Sequence, residues 1–180
     1  MEGPERGLIW AGAAVALSAC TMIGSAELKS PRPPPLAAAA YTDEVPEYEP
    51  PSRRGNMAEY RQSGRTYRVR DSSYGYEERG IASWYGEDFQ GRPTSSGEPF
   101  DMNLLSAAHR TLPLPSWVRV TNLSNGRSIL LRVNDRGPFA DPDRRIIDVS
   151  YAAAVRLGMV QTGTASVHVQ AVEPWQVRTR

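Results

Sequence analysis

The stretch Arg127-Ser128-Ile129-Leu130-Leu131-Arg132-Val133-Asn134-Asp135, followed at once by Arg136-Gly137-Pro138-Phe139, decides how the chain reads. Ile129, Leu131 and Val133 recur at a spacing of two, the pattern of a strand with one face on a core, and Asp135 lies on the same parity. Gly137-Pro138 stops the strand, because proline has no N–H to give a ladder, so the carboxylate is expected at a rim and not deep inside. A half-buried carboxyl at a strand end favours its protonated form, which suits proton donation near neutral pH. Read as scaffolding, the same residue would pair with Arg132 or Arg136 and hold a turn. The pattern is compatible with both roles.

Working outward, residues 117–123 alternate cleanly, and Asn125-Gly126 between them and the next strand is a hairpin signal, since both residues tolerate positive φ. Residues 81–85 read as a strand, followed by a Gly-, Pro- and Ser-rich loop over 86–99. Residues 145–149 form another strand. Ser150 then reads as the N-cap of a short helix over 151–157 that Gly158 ends. Residues 165–172 make a last strand with Val167, Val169 and Ala171 inward, which leaves His168 on the solvent side. Short strands, a short helix and polar loops gathered at one end read as a small β-barrel with a single core.

The ends of the chain differ in kind. Residues 8–19 are an apolar, small-residue run too short to span a bilayer permanently, and it closes on Leu17-Ser18-Ala19-Cys20. Seven prolines between Pro31 and Pro51, interrupted by alanines and acids, predict an extended tether that buries no core. About 30 such residues at roughly 3.1 Å each reach on the order of 90 Å. Order is expected to begin around residues 64–70, where Tyr67 and Val69 alternate with polar residues. The net charge of +1 and the lack of a basic stripe argue against nucleic acid as a partner. One cysteine and two histidines, His109 and His168, leave little from which to build a metal site, and no metal or cofactor is expected.

Two further segments carry polar groups beyond what scaffolding needs: Thr94-Ser95-Ser96-Gly97-Glu98-Pro99-Phe100-Asp101 and Ala107-Ala108-His109-Arg110-Thr111. Glu98 reads either as a solvated loop acid or as a site carboxylate. Asp101 reads as a cap on the turn over 102–105 or as a site residue. His109 reads as a loop brace or a substrate contact. Trp117 is a strand-packing aromatic or a sugar-stacking face.

Taken together, Ala82-Ser83-Trp84-Tyr85-Gly86, Gly97-Glu98 with Phe100-Asp101-Met102-Asn103, Ala107 to Pro113, Val118 to Leu123, Val133 to Phe139 and Arg145-Ile146-Ile147-Asp148 resemble the rare lipoprotein A family of bacterial lytic transglycosylases. The resemblance implies a mainly β fold, a six-stranded double-psi β-barrel with short helices behind a disordered Pro-rich tether. It implies a carbon–oxygen lyase that cleaves peptidoglycan glycan strands, preferring those stripped of stem peptides, and leaves 1,6-anhydro-muramyl ends during wall remodelling and daughter-cell separation. Carried across by position, Asp135 is the principal catalytic acid and Glu98 the second catalytic residue. Asp101 and His109 support them in the groove, and Asp148 pairs across the barrel with an arginine. The run ending at Cys20 resembles a lipobox, which implies a lipid on Cys20 and, with Thr21 after it, an outer-membrane anchor facing the periplasm. Cell-division proteins are the protein partners it implies.

The expected organisation is a signal peptide over 1–19, a disordered linker over 20–63 and a semi-ordered lead-in over 64–79. The barrel follows over 80–173, with a tail over 174–180 and no C-terminal glycan-binding domain, so recruitment by such a domain is not expected. The rival reading is a non-catalytic, expansin-like wall-binding lipoprotein, because one fold serves both roles.

Overall fold

Alternating apolar residues that cannot all be covered by a flat sheet close it on itself instead, which removes the unpaired edges. In the computed structural model, which describes residues 46–174, that closure is complete. The expected signal peptide, Cys20 and most of the expected proline-rich tether lie outside the described residues, as does the end of the tail.

The described residues form eight strands: β1 (Glu59–Gln62), β2 (Arg65–Arg68), β3 (Glu77–Tyr85), β4 (Ser106–His109), β5 (Ser116–Asn122), β6 (Ser128–Asp135), β7 (Arg145–Ser150) and β8 (Thr164–Ala171), with a helix α1 (Tyr151–Leu157) between the last two. Six of them make a closed barrel in the order β3-β7-β4-β6-β5-β8. Two neighbouring pairs, β3 with β7 and β4 with β6, run parallel, and the other neighbours are antiparallel. Val118, Val120, Leu131, Val133, Ile147, Val149, Val167 and Val169 fill the interior and are fully buried. Each contributes about 1.5–3 kcal/mol by leaving water.

Local signals are mostly met. Ser150 Oγ accepts the Ala153 N–H at the start of α1, and Gly158 ends it at φ 70°. Trp117 is buried in its strand. The Asn125-Gly126 signal resolves into a five-residue connection, with Gly126 N–H donating to Asn122 O at 2.8 Å and Asn122 N–H to Arg127 O at 2.8 Å. The two-residue turn lies elsewhere, at Ser63-Gly64 between β1 and β2, where both residues have positive φ. His168 points away from the core as expected, but its ring is only 14% exposed and meets Glu77 Oε1 at 2.6 Å.

Two boundaries move. The stretch assigned to a disordered linker through residue 63 already contains β1. Before it, a strap of residues 49–56 lies on the barrel: Ser52 N–H donates to Leu114 O at 2.7 Å, and Asn56 holds Leu114 through both its carbonyl and its N–H. Specific polar contacts, not apolar burial, order this segment, so its proline content conceals them. The other change is β4, a buried central strand of sequence Ser-Ala-Ala-His with no β-branched residue to announce it.

Candidate active site

The strand registers define two rows across four adjacent strands. Trp84, Val149, Ala107 and Val133 stand side by side on the core face; Ser83, Asp148, Ala108 and Asp135 form the next row, on the outer face. Asp135 therefore faces away from Val133 and does not share its parity. The cause is a bulge: Ala107 pairs with Val133 and Ala108 with Asp135, so Asn134 is the extra residue and the alternation resets.

Asp135 is half-buried at the end of β6. Its Oδ1 accepts three hydrogen bonds at 2.7 Å, from Ser95 N–H, Ser95 Oγ–H and Arg136 N–H. Oδ2 accepts none among the described residues. The scaffolding alternative, an ion pair, is not formed. Arg136 is buried with its guanidinium on the carbonyls of Gly55, His109 and Leu112, at 2.6–3.0 Å. Arg132 is engaged by two other carboxylates. Asp135 is thus held firmly through one oxygen and open at the other.

Glu98 lies across from it on the same loop as Ser95. Arg132 grips it with two bonds of 2.7 and 2.9 Å, and Asn134 Nδ2 adds a third at 2.9 Å. These bonds, Arg132 foremost, hold the Glu98 carboxyl below the usual carboxylate range, so it is an anion at neutral pH and not a proton donor. Arg132 also binds Glu49 of the strap at 2.6 and 2.7 Å. The bulge is what allows Asn134 to serve Glu98 while Asp135 turns to Ser95.

Tyr85 closes the other side. Its ring stacks on Phe100 at 4.3 Å and meets Phe89 edge-on. Its hydroxyl is buried beside Ser106 without a hydrogen bond of good geometry. Burial first, and the charge of Asp135 second, push its pKa up, so it remains a neutral O–H.

Two expected companions are placed elsewhere. His109 is 3% exposed and belongs to the interior. Nδ1 accepts Thr111 N–H at 3.2 Å and Leu112 N–H at 3.0 Å, which assigns the proton to Nε2, 2.8 Å from the Tyr76 hydroxyl; that hydroxyl in turn donates to Glu78. Burial, with Arg110 and other cations nearby, drives its pKa down to about 3. It braces the loop after β4 and faces no groove. Asp101 accepts Asn103 N–H at 2.9 Å and Gln90 Nε2 at 3.2 Å, a turn-closing role that ties two loops together. Asp148 is structural, as expected, but its arginine is Arg145 on its own strand, at 2.5 Å, and not one across the barrel. A second bulge, at Ile146, brings residues three apart to one side; Ser83 Oγ donates to the same carboxylate.

Residues of the site that sequence reasoning missed are Ser95, quoted in its loop without a role, and Asn134 and Tyr85, whose placement depends on the bulge and on β4. Among the described residues no group of three or more His, Cys, Asp or Glu side chains could hold a metal ion.

A closed six-stranded barrel with two parallel neighbouring pairs is a barrel of the double-psi class. Residues 77–169 match the family described as lytic transglycolase, and the chain belongs to that family. It is 51% identical over 138 residues to the endolytic peptidoglycan transglycosylase RlpA of Vibrio cholerae, an alignment covering 77% of this chain and 51% of that one. It is 52% identical over 117 residues to the protein of the same name from Neisseria meningitidis, covering 65% and 48%. The chain spans about half the length, or less, of the curated relatives it matches. Among solved structures, Streptomyces papain inhibitor aligns with a TM-score of 0.47 at 25% identity, covering 57% of this chain and 100% of that one.

Proposed function

We propose that this chain is a lytic transglycosylase that cuts peptidoglycan glycan strands, those lacking stem peptides above all, and leaves 1,6-anhydro-muramyl ends. The observation that carries the reading is Asp135, free of any ion pair, saturated at Oδ1 and open at Oδ2. Oδ2 gives its proton to the leaving glycosidic oxygen as the C1–O bond breaks. The ionised carboxylate then takes the proton of the muramyl C6 hydroxyl as that oxygen bonds to C1, so no water is consumed and the acid is restored. Such acid–base help is worth roughly 10²- to 10⁴-fold. Glu98, already an anion, faces the positive charge that develops on the sugar. His109 and Asp101 act only by holding loops.

Purified protein incubated with peptide-free strands is expected to release anhydro-muramyl products detectable by mass spectrometry, and Asp135→Asn to abolish them without unfolding the barrel. A wall binder without activity would bind strands equally well with either residue and yield no product. The cellular setting belongs to the same proposal: a lipid on Cys20, anchorage in the outer membrane facing the periplasm, and contact with cell-division proteins. The mass of the membrane-extracted protein tests the first of these.

A further inference from the structure

The strap before the barrel brings charge to the site that the reaction scheme leaves unused. It is pinned at Glu49 by Arg132, at Ser52 by the Ser96 carbonyl (3.1 Å), and at Gly55, whose carbonyl accepts from Arg136 at 2.6 and 3.0 Å. Between these pins stand Arg53 and Arg54, both exposed. Arg54 lies over the loop that carries Ser95 and Glu98: a Cβ on Gly97 would come within 3.1 Å of Arg54 Cδ and 3.4 Å of its Nη1. Gly97 has φ +97° and no side chain, so the guanidinium can rest on that loop.

Every other arginine at this place is satisfied. Arg132 holds two carboxylates and Arg136 is spent on backbone carbonyls. Arg53 and Arg54 have no acidic partner among the described residues. Beside them is a cavity of about 770 Å³, walled by Arg53, Arg54, Asn56, Tyr60 and Phe139 and reaching Ser95, the residue that holds Asp135. Three arginines and no carboxylate line it. Uncompensated guanidinium groups over an aromatic-walled cavity select an anion carried on an otherwise neutral, ring-shaped ligand.

We propose that the strap forms one wall of the substrate cleft, and that Arg54, assisted by Arg53, binds the free lactyl carboxylate of a muramic acid residue. This rests on the peptidoglycan reading above and gives it a selectivity mechanism. A glycan without stem peptides carries one such carboxylate per disaccharide. A stem peptide converts it to a neutral amide and adds bulk where the strap lies.

The test compares two peptide-free substrates, strands with free lactyl carboxylates and the same strands converted to methylamides, for the full chain and for Arg54→Gln and Arg54→Lys. The wild-type protein is expected to favour the free acid about tenfold in kcat/KM, the size of one partly exposed charge-assisted hydrogen bond. Arg54→Gln is expected to bring the ratio near one, and Arg54→Lys to keep part of it. A wild-type ratio of one, or an unchanged ratio in Arg54→Gln, overturns the assignment. Absence of anhydro product from either substrate would instead refute the enzymatic reading. In that event the same ratio, measured as Kd by fluorescence anisotropy of end-labelled strands, still decides the role of Arg54.

Discussion

Replacing His109 by leucine separates a brace from a catalyst. The imidazole satisfies two backbone N–H groups through Nδ1, at 3.0 and 3.2 Å, in a position only 3% exposed. Leucine fills most of the space but accepts nothing, and each buried N–H left without a partner costs about 1–3 kcal/mol, so the loss at neutral pH is about 2–6 kcal/mol. Acid provides an independent signature. The folded-state pKa of about 3 lies below the ordinary 6.5. The unfolded chain therefore takes up a proton first, and stability present above pH 6.5 is lost as the pH falls toward 3. At about 1.4 kcal/mol per pH unit, the whole window amounts to about 5 kcal/mol. Denaturant titrations at pH 7, 5.5 and 4 should show the wild-type protein losing about 1.4 kcal/mol per pH unit more than His109→Leu, so that the two curves converge in acid. Equal stability at pH 7 with parallel pH slopes, combined with lost turnover, would refute this reasoning and return the ring to the substrate.

Two further outcomes follow from the site. Ser95→Ala removes one of the three donors on Asp135 Oδ1; kcat should fall about tenfold with the melting temperature nearly unchanged, and a wild-type kcat would show that the hydroxyl does not position the acid. Glu98→Gln should lower kcat at least tenfold yet destabilise the fold by less than about 1 kcal/mol, since the Glu98 side chain is 44% exposed and Arg132 keeps Glu49; a large loss of stability in denaturant titrations would make Glu98 a scaffold residue.

How far the sequence could be read depended on which interactions were local. The alternation in β5, in β6 as far as Val133 and in β8, and the caps of α1, are near-neighbour effects, and they formed as expected. β4 was illegible because its four residues, Ser-Ala-Ala-His, carry neither a β-branched side chain nor an apolar alternation. The strap was illegible for a different reason. It is held by isolated polar contacts to residues more than forty positions away, such as Ser52 to Ser96 and Glu49 to Arg132, which no periodicity records. Of the two readings that the sequence left open for His109, the structure forms the loop brace, because the barrel closes around a histidine that sits beside two alanines.

The face on which Asp135 lies is the deepest of these failures, and the most instructive. Period-two reasoning holds only while every residue has one partner, and each parallel strand pair of this barrel breaks that rule once, at Ile146 and at Asn134. Shortly after each break the chain delivers a carboxylate to the outer face, Asp148 in one case and Asp135 in the other. The same backbone device thus makes two candidates, and their surroundings separate them. Asp148 is tied by Arg145 and Ser83, a charge already answered by a cation. Asp135 is steadied by neutral donors on a single oxygen, and no cation forms an ion pair with it among the described residues. A group that must release a proton and recover it needs a fixed position and a charge that no ion pair has already answered, and of the two acids only Asp135 meets that condition.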